Sequence, residues 1–156
     1  MRIYLLAAGK RQPAWINAGF NEYAKRLPPE CGLQLRETPL STARQGAAVA
    51  RAVSDEGEKI LAALPQGAAV VALDVQGRSF SSDALARQLG RWLQSGRDLA
   101  LMIGGPDGLS ESCLERAELK WSLSPLTLPH GLVRVLVAEQ LYRAWCILKN
   151  HPYHRG

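Results

Sequence analysis

All three histidines of the chain, His130, His151 and His154, fall in its closing stretch, the last two beside Tyr153 and Arg155 in "NHPYHRG". Histidine is the side chain whose ordinary pKa lies nearest neutrality, so these residues are the ones best suited to moving a proton. Chain ends usually fray and contribute little. Here Pro152 keeps the tail from continuing as helix, yet the tail concentrates groups that can exchange protons and bind anions.

Three other stretches carry residue types that suit a ligand. In "LDVQGRSFSS", Asp74 can accept hydrogen bonds from ligand hydroxyls or amines, or serve as a solvated turn acid. Gly77 permits a turn there, and Ser81 or Ser82 caps the helix that follows. In "MIGGPDGLS", Gly104 and Gly105 remove two side chains, which lets backbone approach a ligand closely or simply makes a Gly-Pro turn. The segment has no lysine and the wrong glycine spacing, which excludes a phosphate-cradling P-loop and a dinucleotide fingerprint. In "SLSPLTLPH", Pro125 and Pro129 bar regular helix. Leu123, Ser124, Pro125, Leu126, Thr127 and Leu128 then offer apolar side chains and free backbone groups. That composition suits a flat heteroaromatic ring such as adenine better than a phosphate, and an ordinary connection into the last helix is the plain alternative.

These stretches share one position in the pattern of elements: each follows an apolar, strand-like run. Such runs are "RIYLLAAG", Leu33 to Thr38, Ala69 to Leu73, Leu99 to Ile103 and Lys120 to Leu123. Helical periodicity lies between and after them, first with Ile16, Phe20, Tyr23 and Leu27 on one face, then near 43–64, 82–95, 110–118 and 131–149. This alternation predicts an α/β fold with a largely parallel sheet and helices on both faces. Ligands of such sheets bind beyond the carboxyl ends of the strands. The last helix is apolar around most of its circumference, which predicts one face on the sheet and another on a second copy in a homodimer. Arg134 lies in its first turn, where the helix dipole is already positive, so an anion should offset it: a carboxylate such as Asp107 or a nucleic-acid phosphate.

A chain of 156 residues with 47% apolar composition describes a single domain spanning 1–156. No run is long enough to span a bilayer and the N-terminal segment is too short for a signal peptide, so a cytoplasmic location is expected. Cys31, Cys113 and Cys146 are widely spaced in apolar or helical contexts, which predicts buried thiols, no disulfide and no metal. The net charge of +5 comes mainly from 14 Arg against 5 Lys. Arginine favours planar recognition of phosphate, and a basic balance attracts nucleic acid or another polyanion.

The segments "LMIGGPDGLS", "WSLSPLTLPHGLVRVLVAEQLYRAW" and "NHPYHRG", with "LLAAGK", "EYAKRL" and "DEGEKIL" before them, resemble the SPOUT methyltransferases of the α/β-knot class. The resemblance is closest to the large-subunit ribosomal RNA methyltransferase H family, and it is most specific in the C-terminal half. It implies a C-terminal trefoil knot, a homodimer, S-adenosylmethionine as methyl donor, and methylation of N3 of a pseudouridine in 23S ribosomal RNA. By the same resemblance, cofactor contacts fall at Leu73, at Gly104 with its neighbour Gly105, and along Leu123 to Leu128. His154 or Tyr153 from one subunit would meet the cofactor of the other. Arg134 and Arg155 would hold RNA phosphate, with Arg134 also counted among the catalytic group. Tyr153 could stack on a base, and His130 either packs at the mouth of the last helix or touches RNA. Gly131 opens that helix with a poor helix former and is expected to loosen its first turn. Two other readings fit the same residues: an inert RNA-binding or ribosome-assembly protein of this fold, and a SPOUT methyltransferase acting on transfer RNA.

Overall fold

The computed structural model describes residues 1–42 and 45–155, without the side chain of His154. Five strands, β1 (Ile3–Ala8), β2 (Leu33–Thr38), β3 (Ala69–Ser79), β4 (Leu99–Ile103) and β5 (Leu119–Ser122), form one sheet in the order β2-β1-β4-β3-β5. Every neighbouring pair is parallel. Parallel neighbours need long crossovers, which α1 (Ala14–Ala24), α2 (Ala48–Ala62), α3 (Ser82–Ser95) and α4 (Glu111–Arg116) supply, and α5 (His130–Leu148) follows the last strand. The helix expected near 43–64 thus begins at Ala48, and residues 43 and 44 lie outside the described residues.

The central strands are apolar on both sides because both sides are covered. Ile3, Leu5 and Ala7 of β1 and Leu99, Leu101 and Ile103 of β4 join the core shared with α1, α3 and α5. Their alternate neighbours Tyr4, Leu6, Ala8, Ala100 and Met102 join a second core with Ile60 of α2 and Cys113 of α4. This is the expected architecture, and it arises from the two-residue period of strand side chains. Ser81 Oγ caps α3 by accepting from the Ala84 amide at 3.1 Å, and Ser110 Oγ caps α4 by accepting from the Cys113 amide at 3.2 Å. Each cap contributes about 1 kcal/mol.

The third strand differs from its expected form. It does not end at Leu73; it is interrupted there, resumes at Arg78 and runs to Ser79. Leu73 and Arg78 both pair with Trp121 of β5, so Asp74 to Gly77 form an outward excursion between them. Gly77 is required where the chain returns, since a Cβ there would lie 2.6 Å from the carbonyl carbon of Lys120. Gly131 likewise has a packing reason and does not loosen α5, which starts one residue earlier at His130. A Cβ on Gly131 would fall 2.5 Å from Gln12 Oε1, so its absence lets the segment before α1 lie against α5.

Most of the apolar circumference of α5 is covered within the chain by α1 and α3, while Leu132, Val135 and Leu136 are half-buried. Glu139 and Arg143 pair along it as their spacing predicts, at 3.0 Å. The three thiols are free and buried. Burial, with a contribution from the Glu30 carboxylate, pushes the Cys31 thiol up to about 11, and burial raises Cys113 and Cys146 as well. Native protein at pH 8 is therefore expected to leave all three unreactive toward DTNB, with all three titrating once urea unfolds the chain.

Candidate active site

Beyond the carboxyl ends of the adjacent strands β4, β3 and β5 lies a cavity of about 360 Å³. Three loops far apart in sequence supply its walls. The start of the excursion that interrupts β3 gives Leu73, Asp74 and Val75; after β4 come Gly104, Gly105, Asp107 and Leu109; after β5 come Leu123, Ser124, Leu126, Thr127 and Leu128. Its floor and rim add Ile103, Trp121, His130 and Val133. The volume and the mixture of apolar side chains with a few polar groups fit a nucleoside-sized ligand.

The glycine pair is needed for the chain's own packing as well as for access to the cavity. A Cβ on Gly104 would collide with the backbone of Gly108 and Leu109, and one on Gly105 would strike the Leu40 side chain at 2.7 Å. Two backbone segments therefore meet at the sheet edge in a turn closed by Gly108, whose amide donates to the Gly105 carbonyl at 3.1 Å. The turn leaves Gly104 and Gly105 lining the cavity without side chains. In the loop after β5, Ser124 Oγ accepts from the Leu126 amide at 3.0 Å and Ser122 Oγ donates to the Ser124 carbonyl at 3.1 Å. These bonds fix a loop whose prolines cannot join a regular ladder.

Eight of the nine expected cofactor positions line this cavity: Leu73, Gly104, Gly105, Leu123, Ser124, Leu126, Thr127 and Leu128. Pro125 is exposed and is not among the lining residues. His130 lines the rim, as its place at the mouth of α5 allows. Trp121, Leu109, Leu114 and Val133 were not singled out in the sequence. Trp121 could have been found by including the last residues of each strand, whereas Leu109 and Leu114 carry no local signal.

Arg134 corrects the sequence reading. Its guanidinium is fully buried and donates to Glu37 Oε2 at 2.6 Å and to the Gly9 carbonyl at 2.7 Å. The anion that offsets it is Glu37 of β2, not Asp107 and not an RNA phosphate. Within this chain the buried, paired guanidinium of Arg134, expected to hold RNA phosphate and to join the catalytic group, instead ties α5 to β2 and the end of β1.

The tail forms a turn of 3-10 helix at Pro152–Arg155 and packs on α5. The Tyr153 hydroxyl donates to Glu139 Oε1 at 3.0 Å, and its ring lies 4.7 Å from that of Tyr142. The Arg143 guanidinium sits 5.0 Å over the Tyr153 ring. Burial, reinforced by the bond to Glu139, pushes the Tyr153 phenol well above its ordinary range. Arg155 is exposed. The side chain of His154, the expected base, lies outside the described residues. Among the described residues, none of the tail lines the cavity of its own chain. No helix among them is long and apolar enough to cross a membrane.

Residues 1–154 match the family described as "Predicted SPOUT methyltransferase". The chain is 57% identical over 155 residues to a protein of Thioalkalivibrio sulfidiphilus named ribosomal RNA large subunit methyltransferase H, with 99% of each chain covered. It is 56% identical over 156 residues to the protein of that name from Alkalilimnicola ehrlichii, with 100% of both covered. Among solved structures, a probable methylase family protein from Haemophilus influenzae matches with a TM-score of 0.55 and 13% identity over 97% of this chain and 69% of that one. A probable methyltransferase from Bordetella pertussis matches with a TM-score of 0.54 and 15% identity over 91% and 95%. A Legionella pneumophila structure titled as a methyltransferase in complex with the bound cofactor SAM matches at 0.50 and 9% identity, over 93% and 66%. With a parallel sheet whose strand-end loops gather around one cavity, and with relatives alike over their whole length, this chain belongs to the SPOUT methyltransferase family, beside the proteins named ribosomal RNA large subunit methyltransferase H.

Proposed function

We propose that the protein methylates large-subunit ribosomal RNA with S-adenosylmethionine as donor, at N3 of a pseudouridine in 23S ribosomal RNA, as a homodimeric, single-domain cytoplasmic enzyme. The observation that carries this reading is the convergence of the three strand-end loops on one nucleoside-sized cavity, in a chain whose close relatives bear the name ribosomal RNA large subunit methyltransferase H. When bound, S-adenosylmethionine supplies an electrophilic methyl group. Leu123, Leu126 and Leu128 would pack on the flat faces of its adenine ring, while the backbone around Gly104 and Thr127 would read its polar edge.

The chain's remaining task is to align the nucleobase and to remove its N3 proton. A phenol pushed upward and already donating to Glu139 stays protonated near neutrality, so Tyr153 suits stacking or hydrogen-bond donation and the base role falls to His154. The tail would act in trans. Its packing away from its own chain's cavity supports this, as do the exposed apolar residues Val75 (47%) and Leu126 (73%) at the cavity wall. Exposed Arg155 would hold RNA phosphate. The trefoil knot implied by the resemblance belongs to this reading too.

Ribosomes lacking the modification, incubated with protein and methyl-labelled cofactor, are expected to take up label in the large subunit. Nuclease digestion should then return it as N3-methylated pseudouridine. Label in transfer RNA instead would overturn the substrate, and titration calorimetry showing no cofactor binding would leave an inert RNA binder of the same fold.

A further inference from the structure

The loop that joins β1 to α1 has features the cavity does not use. Arg11 sits at φ +61°, in the left-handed region that a residue with a Cβ adopts at a cost. Glycine would relieve that cost, and the loop already uses one at Gly9, φ +112°. The strained geometry is imposed from several sides. The Gly9 amide donates to the Thr38 carbonyl at 2.7 Å, and buried Arg134 donates to the Gly9 carbonyl at 2.7 Å. The Gln12 amide side chain rests on Gly131, beside the His130 that lines the cavity rim.

Lys10 and Arg11 are thus two adjacent exposed cations on a fixed loop that abuts the rim of the candidate active site. Among the described residues, neither is paired with a carboxylate. Strained backbone kept by surrounding structure marks places where a side chain has a use beyond the fold. What Arg11 adds over glycine is a planar guanidinium aimed outward beside an ammonium, a combination that recognises phosphate.

We infer that Lys10 and Arg11 form a phosphate-contact site for the RNA substrate, seating the backbone that flanks the reacting nucleotide. This rests on the RNA methyltransferase reading. The site is fixed in place by Arg134, so that arginine serves RNA only through the loop it holds. Glycine at position 11 removes the charge and the strain together, which gives the site an unusual signature: weaker RNA binding in a protein that is no less stable.

The test compares wild type, Arg11→Gly, Arg11→Lys and Lys10→Ala as full-length proteins. Large ribosomal subunits are bound at several salt concentrations, methyl transfer is followed, and thermal midpoints are recorded. Arg11→Gly is expected to weaken subunit binding by about tenfold and to flatten the slope of log affinity against log salt by about 0.7–0.9. KM for the subunit should rise with kcat and cofactor affinity unchanged, and Tm should stay equal or increase. Lys10→Ala should act in the same direction, and Arg11→Lys should keep most of the salt slope. Wild-type affinity and slope in Arg11→Gly would overturn the site, and a lowered Tm would overturn the account of the strain. If wild type itself transfers no methyl to the subunit, the functional reading fails, while the binding and salt comparison still decides this inference.

Discussion

Replacing Glu37 with leucine is expected to lower the unfolding free energy by about 3–5 kcal/mol, the cost of removing one partner from a buried ion pair. The asymmetry of the pair sets this size. The Arg134 side chain is 1% exposed and Glu37 is 30% exposed, so losing Glu37 leaves a cation in the interior, whereas losing Arg134 only returns a carboxylate to water. Arg134→Met should therefore cost less, about 1–3 kcal/mol, mostly from the Gly9 carbonyl left without its donor. Glu37→Gln keeps an acceptor without the charge and should fall between them. Urea unfolding of the three variants gives the ranking, provided the m-value is constant. If Arg134→Met proves as costly as Glu37→Leu, uncompensated buried charge is not what dominates. A domain is ordinarily stable by about 5–15 kcal/mol, so Glu37→Leu should leave the chain close to unfolding on warming.

Deleting residues 152–156 is expected to lower methyl transfer at least about a hundredfold, the ordinary worth of a positioned proton acceptor. The fold should survive the deletion. The tail gives its own chain the Tyr153 ring on Tyr142 and under Arg143 and the bond to Glu139, and aromatic pairs of this kind contribute about 0.5–1.5 kcal/mol beyond burial. Tyr153→Phe separates the two contributions, since it keeps the ring contact and removes only the hydroxyl. It should retain far more activity than the deletion if His154 takes the proton. Single-turnover methyl transfer, with unfolding midpoints measured alongside, provides the comparison. A truncated protein that binds cofactor and transfers methyl at wild-type rate would show that the tail is not part of the site.

The parts of this structure that could be read from sequence are those governed by short-range rules. β1 and β4 announce themselves because both faces are buried, which leaves runs such as "IYLLAA" and "LALMI" with no polar break. The cavity was legible for a related reason: parallel strands put the breaks after Leu73, β4 and β5 at one edge, whatever those segments contain. The partners of Arg134 were not legible because they lie 97 and 125 residues away, and nothing near "GLVRV" distinguishes a buried arginine from an exposed one. Gly131 was misjudged for the same cause, since its need for a missing side chain comes from Gln12. The excursion after Leu73 was missed because "DVQG" reads as a turn that ends a strand, and only the return of Arg78 onto Trp121 makes it an interruption within one.

The cavity has a further consequence for how a cell could tell finished molecules from unfinished ones. Its lining residues fall within 73–75, 103–114 and 121–133, so it does not exist until the last crossover has been made and α5 has docked. With S-adenosylmethionine in this cavity, as proposed, free cofactor would bind only chains that have completed assembly and would stabilise those alone by mass action. Newly made protein would be sorted by its own small-molecule partner, with incomplete chains left exposed to proteolysis and complete ones withdrawn from it.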